Sequence, residues 1–184
     1  MKRWGVLLAL AAAPAGAQTT DAFAGVPNLT FRTYTVTGTD APSVRRSLDA
    51  GRPTDPHGGA PVDAGTDWAI HWRWPARRHG GCDLSRARVT FRATVTLPRL
   101  AEGATLPPPL AEAWTRYMAA LETHEAGHVR YAYEHRGDVL AAIRGATCRT
   151  AEKRAEAALA AITAHDLAYD RDTQHGLTQG ALFP

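Results

Sequence analysis

The chain has 184 residues, 45% of them hydrophobic and 21% charged. That excludes wholesale disorder and allows one domain with its own core. Sixteen Gly and twelve Pro without a three-residue period exclude a collagen-like chain. The formal charge of +3 shrinks once the first residues are read. Residues 1–17 have the order of a secretory signal: Lys2 and Arg3, an apolar run from Val6 to Ala13, then Ala15-Gly16-Ala17 as the cleavage site. The run is too short for the roughly 20 residues of a membrane span. The mature chain is expected to begin at Gln18 in the periplasm or medium, with 19 Lys and Arg against 18 acids. No basic cluster then remains to favour nucleic acid as a partner.

Residues 18–28 read as an irregular leader to a single domain, 29–184. Leu29 to Thr37 alternates Phe31, Tyr34 and Val36 with polar neighbours, a strand pattern. Asp40 and Pro42 can start a short helix, 42–50, stopped by Gly51. Residues 51–66, rich in Gly and Pro, read as a long loop. Thr66 to Trp74 places Trp68, Ile70, Trp72 and Trp74 at a strict period of two, the clearest strand in the chain. After turns over 75–85, Arg88 to Leu97 alternates Val89, Phe91, Ala93, Val95 and Leu97 with Arg and Thr, a strand with one wet face.

Pro107-Pro108-Pro109 leads into a helix to about Ala146, with the stripe Leu110, Trp114, Tyr117, Leu121, His124, His128 and Tyr131 in steps of four and three. Thr150 can cap a second helix running to about Tyr169. The expected fold is α+β: a small antiparallel sheet packed on two long C-terminal helices. Cys82 and Cys148, in an exported chain, are expected to pair.

His124-Glu125-Ala126-Gly127-His128 is the pattern H-E-x-x-H. Positions i and i+4 share a helix face, so both imidazoles can reach one Zn²⁺, and the Glu between them can act as general base on a water. A third ligand is needed. His135 lies seven residues past His128, about 10 Å along the axis, and reads as a helix-surface histidine. A return helix offers more. With the turn near residue 147, His128 stands about 28 Å from it at 1.5 Å per residue, and its level partner is near residue 166. Glu152 and Glu156 fall too close to the turn. His165, Asp166, Tyr169 and Asp170 match in level, with Asp172 and His175 just beyond. His175 is preferred as third zinc ligand because imidazole is the commoner donor. Asp170 is the reserve, or the carboxylate that holds the other ring nitrogen. Tyr169 is then left to stabilise an oxyanion. In the rival arrangement Asp170 or Asp166 is on the metal and His175 donates to the transition state.

These residues resemble a bacterial family of unknown function described as a predicted secreted zinc-dependent protease. The resemblance rests on four pieces in order. They are Thr66-Asp67-Trp68-Ala69-Ile70-His71-Trp72; Cys82 and the strand ending Leu97-Pro98; Trp114-x-x-Tyr117-x-x-x-Leu121-x-x-His124-Glu125-x-Gly127-His128; and Tyr169-Asp170-x-x-Thr173-x-His175-Gly176. It implies a zincin-like metal helix with His124 and His128 as ligands and Glu125 as catalytic residue. It points to the C-terminal motif for the rest of the site. The expected function is a zinc metallopeptidase acting on a peptide or protein substrate. The alternative is a non-enzymatic cell-envelope binding domain, with its tryptophans as a sticky surface and any metal structural.

Overall fold

The computed structural model describes residues 21–55 and 59–184. The expected signal, 1–17, lies outside the described residues. Three strands, β1 (Leu29–Val36), β2 (Gly65–Arg73) and β3 (Arg88–Leu100), form one sheet in the order β1-β3-β2. Helix α1 (Ala41–Gly51) follows β1, and α2 (Pro108–Arg144) and α3 (Ala151–Thr173) follow β3. The α+β class holds, but the sheet is mixed. β2 runs antiparallel to β3, with Trp68 opposite Ala93 and Ile70 opposite Phe91, whereas β1 runs parallel to β3, Phe31 beside Val95. The reason is topological. β1 and β3 are not joined directly; α1, the following loop and the whole of β2 lie between them, a connection long enough to return the chain in the same direction.

Local chemistry sets the element ends. Asp40 caps α1 by accepting from the Ser43 backbone N–H at 2.8 Å, and the Ser43 hydroxyl receives the Asp40 N–H in return. The three prolines fall at the start of α2, where a missing N–H costs nothing. The stripe along α2 buries Tyr117, Leu121, Val129, Ala132, Val139 and Ile143, against Ile70, Phe91, Val95 and Leu97 of the sheet. Each fully buried large side chain contributes roughly 1.5–3 kcal/mol.

Cys82 and Cys148 are bonded, Cα–Cα 5.6 Å, tying the turn after β2 to the turn between α2 and α3. Past α3 the chain doubles back. Phe183 is buried against Trp114 and Tyr117, ring centroids 5.7 and 5.4 Å away, so residues 175–183 run beside α2. No helix among the described residues is long and apolar enough to cross a membrane.

Trp68 and Trp72 turn towards the helices. Their indole N–H groups donate to Asp166 (3.1 Å) and Glu152 (3.2 Å), both on α3. With Trp74 they pack against the core, and so do not form the exposed aromatic surface of the binding-domain alternative.

Candidate metal centre

Two antiparallel helices that turn near residue 147 place positions summing to about 294 at one level. His128 meets Asp166, and His124 meets Asp170. All four residues and Glu125 are buried, each at most 9% exposed.

Both histidines point Nε2 at one carboxylate oxygen. His124 Nε2 lies 3.2 Å from Asp170 Oδ1, His128 Nε2 lies 3.0 Å from the same oxygen, and the two Nε2 atoms are 3.2 Å apart. Each outer ring nitrogen has its own acceptor: Asp166 Oδ1 at 2.7 Å for His128, Gln179 Oε1 at 3.0 Å for His124. An Nδ1–H donated to each leaves Nε2 as the lone-pair atom.

Three lone-pair atoms on a triangle of 3.0–3.2 Å edges repel unless a proton or a metal cation lies among them. Tetrahedral zinc with bonds of about 2.0–2.1 Å spaces its ligands about 3.3–3.4 Å apart. The donor set therefore fits a metal ion, and His124, His128 and Asp170 form the candidate group.

The carboxylates carry the imprint of this crowding. Burial raises the Asp170 pKa, but hydrogen bonds from His124 and His128 outweigh it and hold the carboxyl well below the usual range. Without an ion a proton fills the same place: burial opposes charge on His128, yet Asp166 and Asp170 push its pKa up to about 10, so a metal would bind Nε2 by displacing a proton. Glu125 moves the other way. Its burial raises the pKa despite the neighbouring imidazoles and the hydrogen bond from Thr66.

Thr66, on β2, donates its hydroxyl to Glu125 Oε2 at 2.7 Å. Two residues on, Trp68 donates to Asp166, the acceptor of His128. One strand face therefore holds both the glutamate and the partner of a histidine. The segment leading into that strand is clamped at Asp63. Its carboxylate accepts from Arg45 at 2.8 and 2.7 Å, from Arg52 at 2.5 Å and from the Tyr117 hydroxyl at 2.5 Å.

Tyr169 stacks on His124, centroids 5.0 Å apart and planes 13° from parallel. A Cβ at Gly127 would stand 2.7 Å from Tyr169 Cζ and closer still to its hydroxyl. The glycine of the H-E-A-G-H motif is what lets the ring in. The Tyr169 hydroxyl receives the Gln179 amide at 2.9 Å, and Tyr169 does not line the cleft over the histidines. The oxyanion role expected of it finds no support in this placement.

His175 lies at the rim, its side chain 46% exposed, with Nδ1 3.4 Å from Asp170 Oδ1. It groups with Asp170 and Asp55, not with His124 and His128. The physical reason is the end of α3. Gln174 and His175 both adopt left-handed φ of 52° before Gly176 at 84°, and the His175 N–H bonds the Asp170 carbonyl at 2.9 Å. The reversal comes one turn too late to bring the imidazole to His128.

His135 is on the surface, paired with Asp138 at 2.7 Å. His165 stacks on Tyr131, and Asp172 pairs with Arg171 at 2.9 Å.

Sequence reasoning missed Thr66, Asp55, Asp63 and Gln179. Thr66 had a signal, since it shares the period-two face of Trp68 and Ile70. Gln179 had none, because only the doubling back of the C-terminal segment brings it to His124.

No curated protein and no solved structure matches the chain. A bacterial family of proteins of unknown function, DUF922, matches it over residues 31–176. That span holds the whole triangle of donors and the strand that buttresses it, and the chain belongs to this family.

Proposed function

We propose that the protein is a zinc-dependent hydrolase of peptide bonds, exported from the cytoplasm. The observation that carries the reading is the triangle of His124 Nε2, His128 Nε2 and Asp170 Oδ1 with Glu125 beside it in one cleft. His124, His128 and Asp170 would hold the ion, so Asp170, the reserve of the sequence reading, would take the third place. When bound there, zinc supplies Lewis-acid chemistry: it polarises a carbonyl and acidifies water.

The rest belongs to the chain. Thr66 pins Oε2 of Glu125, which leaves Oε1 to take a proton from the attacking water and pass it to the leaving amine. Burial raises the Glu125 pKa, which makes it the stronger base. Asp166 and Gln179 fix the two imidazoles by their Nδ1 atoms, and Tyr169 holds the His124 ring flat.

The test separates ligand from base. Purified Glu125→Gln should retain zinc and fold and lose digestion of denatured casein. His124→Ala and Asp170→Ala should lose the metal. Wild-type digestion by Glu125→Gln would sink the mechanism. Export rests on residues 1–17 alone, and N-terminal sequencing of the cell-envelope fraction should read from Gln18.

A further inference from the structure

We propose that Asp55, Asp170 and His175 hold a second divalent cation, so that the cleft carries two ions sharing the Asp170 carboxylate. This rests on the reading of His124, His128 and Asp170 as the first site. One donor atom from each of Asp55, Asp170 and His175 lies within 4.8 Å of the others, and all three line the cleft that holds Glu125. They come from separate parts of the chain. Asp55 belongs to the segment after α1, Asp170 to α3, and His175 to the reversal that ends it.

Asp55 is 7% exposed. The donor set of one imidazole and two carboxylates suits zinc, manganese or iron(II) rather than a soft or all-oxygen ion. Asp170 is equipped to serve both sites, since a carboxylate offers two oxygens and about four lone-pair positions. His175 Nδ1 lies 3.4 Å from Asp170 Oδ1, longer than the 3.0–3.2 Å edges of the first triangle, and His175 faces solvent. The second ion is therefore the weaker and the nearer to the mouth, where it would meet the substrate first. On this view His175 is a metal ligand, but not of the ion held by His124 and His128.

The full chain, stripped with chelator, is loaded with Zn²⁺ and its ions counted by native mass spectrometry and elemental analysis. Wild type should bind two, one tightly. Asp55→Ala and His175→Ala should each bind one, with the tight step unchanged. Asp55→Asn keeps the shape of the side chain and should weaken the second step at least about tenfold in calorimetric titration, which covers the case in which Asp55→Ala fails to fold. His135→Ala, which removes the exposed His135–Asp138 pair, should still bind two; a fall to one there would mark the second ion as adventitious and overturn the proposal. Wild type saturating at one ion would overturn the second site and leave the first standing. Wild type binding none would overturn both.

Discussion

His124 is enclosed by two close approaches that only glycine allows. Tyr169 covers one face of its ring across Gly127, and the backbone at Gly176 passes so near that a Cβ there would lie 3.1 Å from His124 Cγ. Gly127→Ala is therefore expected to act in two directions. Alanine favours the helix by roughly 1 kcal/mol, yet it expels the Tyr169 ring. Zinc affinity, measured by chelator competition, should fall by about 10–100-fold, the usual cost of losing a group that orients a ligand. Unchanged affinity would show that the stack on His124 is dispensable. Thr66 offers a companion test. Thr66→Val should keep the metal and slow casein digestion, and Thr66→Ser, which restores the hydroxyl, should recover most of it. Equal rates in the two variants would remove Thr66 from the mechanism.

At the scale of elements, the segment before β2 depends on one ionic knot. Asp63 gathers Arg45 and Arg52 from α1 and its end and Tyr117 from α2, while its carbonyl takes the Tyr34 hydroxyl at 2.8 Å. Burial would raise its pKa, but the hydrogen bonds from Arg45, Tyr117 and Arg52 overcome this and lower it. A folded pKa below the unfolded value near 3.8 means stability is fully present above that value. It is lost as pH falls through the lower folded pKa. Asp63→Asn should cost about 3 kcal/mol near neutral pH. That is the lower end for breaking a buried pair, since the arginines are partly exposed and partly screened. It should also flatten the loss of stability below about pH 4. Urea unfolding of both proteins from pH 3 to 7 measures this, and parallel curves would show that the knot does not couple to folding.

For the molecule as a whole, the disulfide joins the turn after β2 to the turn between α2 and α3. By loop-closure entropy a separation of 66 residues is worth up to about 4 kcal/mol. Cys82→Ala with Cys148→Ala should thus lower the thermal midpoint by roughly 2–4 °C per kcal/mol lost, with zinc stoichiometry unchanged. A loss of metal in that variant would mean that the crosslink sets the level of the helices rather than only their stability. The level itself is fixed by the hairpin, because the turn near residue 147 dictates which residues of α3 stand opposite His124 and His128.

The sequence alone determined the elements whose physics is local. Alternation fixed the Trp68–Trp72 strand face, a 3.6-residue period fixed the α2 stripe, and i and i+4 spacing fixed His124 and His128. The helix rise then carried one non-local inference, that residues near 166 stand opposite His128, because a straight hairpin is a ruler. Tertiary structure decided what no ruler reaches. Whether β1 runs parallel or antiparallel to β3 depends on how a long connection crosses. The placing of His175 depends on three successive left-handed residues at the end of α3. Asp55 and Asp63 reach the cleft, and Gln179 reaches His124, only through the packing of an irregular segment and of a C-terminal tail anchored by Phe183. Asp170 rather than His175 faces both histidines because it is still helical, and so still in register, when the chain passes His124.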